Sequence, residues 1–261
     1  MRVLAIGDIV GKPGRKALKT ELPRLREELG LDLVIANGEN AAGGFGLTEH
    51  VSHELWEAGV DIITSGNHIW KKREIYSVLS QEKQLLRPAN YPPGAPGRGW
   101  TIWQHNDLKV AVVNLAGRTF LEPLDCPFRV VDSLLPEIRQ QSNIVIIDFH
   151  AEATSEKIAF GWYVDGRASL VFGTHTHVQT ADSRILPHGT GYITDIGMTG
   201  PRDGVLGVDR DIIIQRFITQ LPARFHLAKG DVDIMGVWAD IDPVTGYTLR
   251  IERLYRTLTQ K

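Results

Sequence analysis

The chain has 261 residues, a net charge of −2, 43% hydrophobic residues and one cysteine, Cys126. This length buries a sizeable core without cross-links, and a lone cysteine excludes a disulfide framework or a cysteine-based zinc site within the chain. The scattered charges leave no strong nucleic-acid footprint, no apolar run approaches membrane-spanning length, and a reducing cytoplasm is the expected location.

Residues 3–6 are an apolar run, expected to be a strand covered on both faces, and Gly7-Asp8 ends it too soon for a signal peptide. Gly11-Lys12-Pro13-Gly14 reads as a turn. A helix follows with Ala17, Leu18, Leu22, Leu25 and Leu29 on one side, interrupted by Pro23 and closed by Gly30. Residues 31–36 are a second buried strand, leading into the glycine-rich loop 37–44. Thr48 is placed to cap a helix bearing Val51, Leu55 and Trp56. Residues 60–64 are a third strand ending at Ser65-Gly66-Asn67-His68, and 72–79 a helix. This β-loop-α repetition predicts a mainly parallel sheet, whose ligands bind at the carboxyl ends of the strands.

Residues 88–99, with four prolines and three glycines, form a rigid surface loop. Residues 100–104 and 109–115 flank a hairpin turn at His105-Asn106-Asp107. A helix from Pro127 to about 141 precedes a strand, 143–149, that ends at His150. Thr154 or Ser155 caps a helix running to Trp162. The run 169–172 leads into Gly173-Thr174-His175-Thr176-His177; on a strand, the two histidines would point the same way at period-two spacing. Residues 185 and 192–193 flank a turn at Pro187-His188-Gly189, 195–211 is glycine-rich and polar, and 212–218 is a helix. Residues 232–241 and 247–254 close the chain as a hairpin around 242–246. The hairpins predict a mixed sheet in the second half, packed on the parallel first half. No linker, repeat or composition shift divides the chain, so 1–261 reads as a single domain.

Several familiar motifs fail. Gly11-Lys12 is followed by Pro13 and lacks the first glycine of a P-loop, and Gly7-Asp8-Ile9 does not begin a dinucleotide fingerprint. No Gly-x-Ser-x-Gly elbow exists, and Cys126 has no evident base, so serine or cysteine nucleophilic catalysis is disfavoured.

What remains is a set of polar residues that interrupt apolar runs at strand ends: Asp8, Glu39, Asn40, Asn67, His68, His150, His175 and His177. Singly each has an ordinary explanation, such as a helix cap for Asp8, a turn for Asn40 or Asn67, and a hydrogen-bonded core histidine for His150. Jointly they exceed what one tetrahedral ion needs and suit two metal ions bridged by a carboxylate. Oxygen and imidazole donors without thiolate suit iron, manganese, zinc or magnesium, and the histidines argue against magnesium alone. His50, His53, His105, His188 and His226 read as surface or helix-face residues, and the six tryptophans as packing. Trp162 and Met198-Thr199-Gly200 are weaker candidates for a substrate wall, and Glu152 and Glu156 for partners of the ligands or first-turn helix acids.

In this order, Gly7-Asp8, Gly38-Glu39-Asn40, Gly66-Asn67-His68, His150 and Gly173 to His177 resemble the calcineurin-like metallophosphoesterases. The closer resemblance, over almost the whole chain, is to their YmdB-like branch of bacterial 2′,3′-cyclic-nucleotide phosphodiesterases. It is carried by 37–44, by 148–157, by 173–182 and by 195–201. The wider superfamily has Asp-x-His at the first strand and Gly-Asp-x-x-Asp at the second; here Val10 and Glu39-Asn40 stand in those places, which makes generic protein-phosphatase activity doubtful.

The resemblance implies an α/β fold, a sandwich of two mixed β-sheets flanked by helices. It implies two metal ions, iron or manganese. Asp8, Glu39, Asn40 and His177 would bind one, and Glu39, Asn67, His150 and His175 the other, with Glu39 bridging. It further implies hydrolysis of a small phosphodiester or nucleotide through a metal-bridging hydroxide, with His68 protonating the leaving alkoxide. A phosphomonoesterase or nuclease on the same metals, and a regulatory protein acting by partner contacts, are the alternatives; homo-oligomerisation stays open.

Overall fold

The short apolar runs become strands with both faces covered, as continuous hydrophobicity requires. In the computed structural model, which describes residues 1–259, the chain opens with β1 (Arg2–Ile6), β2 (Asp8–Ile9), α1 (Gly11–Leu29), β3 (Leu33–Asn37), α2 (Glu49–Glu57), β4 (Ile62–Thr64) and α3 (Ile75–Gln81). Next come β5 (Trp100–His105), β6 (Leu108–Ala116), α4 (Pro127–Arg139), β7 (Ile144–His150), α5 (Thr154–Tyr163), β8 (Leu170–Thr174), β9 (Arg184–Ile185) and β10 (Gly191–Ile193). β11 (Met198–Pro201), α6 (Arg210–Thr219), β12 (Val232–Ile241) and β13 (Thr248–Leu258) finish it. Of the expected domain 1–261, residues 260–261 lie outside the described residues.

Two mixed sheets result. In the second, β6, β7, β8 and β10 run parallel, with β5 and β9 antiparallel at the edges. The first holds β1, β3 and β4 in parallel, as the opening repetition predicts. The closing hairpin also belongs to this first sheet and not to a second-half sheet, which corrects the sequence reading. β12 pairs with β13 along its length. It also pairs with β1 through Gly236 to Asp240 and with β11 through Val232 to Ile234. The reason is burial. Val237, Ala239 and Ile241 face one core and Ile234 and Trp238 another, so β12 needs cover on both faces.

Period-two alternation divides the core into three layers. Val3, Ala5, Leu33 and Ile35 meet Val110, Val112, Ile146 and Phe172 between the sheets. Leu4, Ile6 and Val34 turn outward onto Leu18 and Leu22 of α1 and Leu55 of α2. Val113, Ile147 and Phe149 turn outward onto Val131 and Leu135 of α4 and Phe160 of α5. This is the expected two-sheet sandwich flanked by helices.

Local departures have plain causes. The expected turn at residues 11–14 is already the first turn of α1, where Pro13 sacrifices no helical hydrogen bond. Pro23 stays inside α1 without ending it. Thr48 caps α2 as expected, its side chain accepting the Val51 N–H at 3.2 Å. α3 begins at Ile75, after a 3₁₀ turn over Ile69–Lys71. α5 is capped by Ala153 without a side-chain bond, not by Thr154 or Ser155. The polar stretch after residue 195 contains the buried β11. Among the described residues, no helix is long and apolar enough to cross a membrane.

Candidate metal centre

The parallel strands of both sheets end at one rim, where open α/β sheets place their ligands. Asp8 lies just past β1, Glu39 and Asn40 past β3, Asn67 and His68 past β4; His150 ends β7, and His175 and His177 follow β8. All eight residues singled out in the sequence meet here. Asp8, Glu39 and His150 are fully buried.

One half of the cluster converges tightly. His150 Nε2 lies 3.2 Å from Glu39 Oε1, 3.0 Å from Asn67 Oδ1 and 3.0 Å from His175 Nδ1. Ligand atoms of Glu39, His150 and His175 all fall within 4.8 Å of one another, close enough to hold one metal ion. The other half is looser. His177 Nε2 lies 3.2 Å from Asn40 Nδ2 and 3.7 Å from Asp8 Oδ1, beyond hydrogen-bond distance. Asn40 donates from Nδ2 to Glu39 Oε1 at 3.3 Å and turns its Oδ1 towards His68 Nδ1, 2.8 Å away. The His68 backbone N–H donates to Glu39 Oε2 at 3.0 Å.

His175 and His177 are not on a strand, so the period-two expectation fails. β8 stops at Thr174, and both histidines have left-handed backbones, with φ of 99° and 64°. Non-glycine residues rarely adopt this region, and they hold it only where their surroundings over-determine it. Here Asp8 Oδ2 accepts the His175 N–H at 3.1 Å. Asp195 Oδ2 accepts the Thr176 N–H at 3.2 Å and its hydroxyl at 2.8 Å, and is itself paired with buried Lys157 Nζ at 2.7 Å.

A second buried network orients His150. Its Nδ1 lies 2.9 Å from the Thr174 hydroxyl, which donates to Asp148 Oδ1 at 2.7 Å. Thr64 Oγ1 donates to the other carboxylate oxygen. An imidazole backed in this way keeps its opposite nitrogen aimed into the site. Gly66 makes room for the ring: a Cβ there would sit 2.1 Å from His150 Nε2. The sequence reading of candidate ligands passed over Asp148, Thr174, Lys157 and Asp195. A signal for Asp148 exists, since it interrupts the apolar run of β7 two residues before His150, on the same face.

The electrostatics are those of a site wanting positive charge. Burial opposes ionisation of Asp8 and Glu39, but the charges of His177 and His150 respectively outweigh it and hold both carboxyls below their usual range. Burial likewise opposes the charged ring of His150, yet Glu39 raises its pKa to about 9. His175, desolvated and beside His150, falls to about 3. Burial lifts Asp148 to about 7 and lowers His68, against the pull of Glu39. Imidazolium thus stands where a cation would. Asp8 Oδ1 and His177 Nδ1 are buried without a hydrogen-bond partner among the described residues. An orphaned carboxylate oxygen beside imidazoles fits a cation site, because burial of an unpaired anion is otherwise costly.

Above the cluster opens a cavity of about 420 Å³, within the range of small-molecule sites. Neither Trp162 nor residues 198–200 line it. Trp162 lies under the Arg184 guanidinium, 5.4 Å from its ring centroid, and 198–200 are buried in β11. Glu152 does line it, 3.1 Å from His175 Nε2, whereas Glu156 accepts the backbone N–H groups of Arg118 and Thr119 and so pins a loop. His226, read from sequence as a surface or helix-face residue, stands at the cavity wall with Phe45, Phe217 and Phe225.

Comparison with known proteins gives consistent matches over nearly the whole chain. The sequence model of the family described as YmdB-like protein matches residues 4–254. A 2′,3′-cyclic-nucleotide 2′-phosphodiesterase of Bacillus subtilis (strain 168) is 55% identical over 254 residues, 97% of this chain and 96% of the relative. A crystal structure of a hypothetical protein from Thermus thermophilus superposes with a TM-score of 0.93 at 43% identity, over 98% of this chain and 99% of that one. A novel phosphatase from Mycoplasma pneumoniae superposes with the same TM-score, 0.93, at 36% identity, over 98% and 93% of the two chains.

Proposed function

The chain belongs to the YmdB-like family, and from that membership we propose that it is a metal-dependent phosphodiesterase acting on 2′,3′-cyclic nucleotides. The observation that carries this reading is the fully buried pair Asp8 and Glu39, ringed by imidazoles, with Asp8 Oδ1 lacking a partner among the described residues. Asp8, Glu39, Asn40 and His177 would hold one ion, and Glu39, Asn67, His150 and His175 a second, with Glu39 shared. Donors of this kind suit iron or manganese, and accept zinc or magnesium. Such ions, when bound, neutralise charge on phosphoryl oxygens and make water a better nucleophile.

His68 would serve the leaving group. A ring-opening phosphodiester hydrolysis expels an alkoxide, a poor leaving group that gains from a nearby acid. Burial lowers the His68 pKa, which reduces the imidazolium present at neutral pH and makes it a stronger acid. Asn40 fixes the ring through Nδ1, leaving Nε2 for the substrate. The eight residues come from one chain, and the apolar layer between the sheets draws on both halves of it, which supports one domain over 1–261. A cytoplasmic location accords with the single cysteine.

The test is metal analysis of the purified protein, with assays on 2′,3′-cyclic AMP and bis(p-nitrophenyl) phosphate. Iron or manganese together with diester hydrolysis is the expected result. Neither metal, and no hydrolysis on adding metals, overturns the reading; hydrolysis of p-nitrophenyl phosphate alone makes the protein a monoesterase.

A further inference from the structure

The cavity above the metal centre has two unlike sides. One is the polar cluster, at Glu39, His68 and His177. The other is apolar and largely aromatic: Phe45, Phe217, Phe225 and Leu227, with Arg216 among them. A phosphate has no use for such a wall. Phe45 is 41% exposed and Phe217 73% exposed, so neither is explained by the packing of the protein on itself.

Phe45 is built into position. It sits between Gly44 and Gly46, whose φ values of 96° and 85° lie in the positive region that glycine adopts without strain. Its ring meets that of His68 edge-on, with centroids 5.1 Å apart. It also lies nearly parallel to Phe225, at an interplanar angle of 22° and a centroid separation of 6.5 Å. The Arg216 guanidinium lies 5.0 Å from the Phe225 ring centroid. It makes no side-chain hydrogen bond among the described residues, so its donors are free for a ligand.

We propose that Phe45 and Phe225, with Arg216 beside them, seat the base of a nucleoside phosphodiester whose phosphate meets the Asp8–Glu39 cluster. The proposal rests on the phosphodiesterase reading and adds a selection rule to it. A flat heteroaromatic ring, one ribose away from the scissile phosphate, stacks on the aromatic pair, and Arg216 donates to its carbonyl or ring-nitrogen acceptors. Every base has a π-face, so stacking tolerates base identity. The site therefore separates nucleosides from simple alkyl diesters more sharply than it separates one base from another.

The experiment compares 2′,3′-cyclic AMP with its abasic counterpart, 1-O-methylribose 2′,3′-cyclic phosphate. It uses the metal-loaded wild type, Phe45→Ala and Phe225→Leu, the second variant keeping apolar bulk while losing the aromatic face. Wild type is expected to prefer the nucleotide in kcat/KM by about 10–100-fold, the scale of one stacked base. That preference is expected to fall by about tenfold in each variant, chiefly through KM. In parallel, metal-free protein is titrated with adenosine and with ribose by calorimetry. Adenosine binding that weakens in both variants supports the seat. Equal preference in wild type and variants, or adenosine binding no tighter than ribose, overturns it. If wild type turns over neither diester the phosphodiesterase reading fails, while the titration still decides whether the wall binds a base.

Discussion

Asn40 Oδ1 lies 2.8 Å from His68 Nδ1, while the same amide donates from Nδ2 to Glu39. An amide oxygen only accepts, so the His68 proton sits on Nδ1 in this arrangement. The expected metal ligand is that same oxygen. Were a cation to take it, the amide would offer His68 its Nδ2 instead, and the proton of the neutral ring would belong on Nε2. Metal occupancy would then set, through one side chain, which nitrogen carries the proton of the neutral His68 ring.

Nitrogen-15 NMR on His68 tests this coupling directly. The expected spectra show the Nδ1–H tautomer in metal-free protein and the Nε2–H tautomer on saturation with zinc. The same tautomer in both states would refute the coupling. His68→Ala is expected to retain its metals and to lose about 10²–10⁴-fold in turnover of 2′,3′-cyclic AMP, the usual scale for a general acid. It should lose far less on bis(p-nitrophenyl) phosphate, whose nitrophenolate departs without a proton. Loss of the metals in that variant would demote His68 to a structural role.

Gly66→Ala is a test by volume alone. The new methyl would fall 2.1 Å from His150 Cδ2 and Nε2, and the ring is tethered on its far side by the Thr174 hydroxyl, 2.9 Å from Nδ1. Overfilled cores typically lose about 1–3 kcal/mol, so denaturant unfolding should show a shift of that size together with reduced metal content. Wild-type metal binding in Gly66→Ala would mean that His150 is not a ligand.

The Lys157–Asp195 pair sits behind the left-handed turn, with side chains 2% and 1% exposed. Lys157→Met leaves a buried carboxylate without its partner and is expected to cost about 3–5 kcal/mol. Adding Asp195→Asn should restore much of that, because the orphaned charge is gone. A double variant no more stable than the single one would show that Lys157 matters for its packing and not for its charge.

Asp182 gives a pH signature. Burial raises its pKa, but hydrogen bonds from Thr180 and Thr194 win and leave it lowered. A carboxyl with a depressed folded pKa lends stability that is complete above the unfolded value, 3.8, and lost as pH falls through the folded one. Unfolding curves of wild type and Asp182→Asn should therefore differ by a constant amount from about pH 5 to pH 7 and converge in acid below the ordinary carboxylate range. A gap that persists unchanged into strong acid would assign the effect to something other than this ionisation.

The strands were legible because burial on both faces leaves an unbroken apolar run as the only solution, and the site because Asp8, Glu39, His150 and the others break those runs where parallel strands end. Other features leave no local mark. The turn that carries the left-handed His175 and His177 is held at His175 and Thr176 by Asp8 and Asp195, distant in sequence. The sheet that β12 joins depends on which core is short of a strand, which neither hairpin residue records. Phe45 and Phe225 disturb no periodicity and come together only when the segment around α6 folds over the rim.

β12 holds none of the site residues, yet both β1, which leads to Asp8, and β11, which runs alongside β2, are paired to it. A chain that stopped at residue 231 would carry all eight polar residues but lack the strand that ties β1 to β11 within the first sheet. During synthesis the last of the eight, His177, leaves the ribosome several seconds before β12 does, at roughly 5–20 residues per second. The candidate centre is therefore completed only after β12 has been made, and a late truncation would disturb it without removing any of its eight residues.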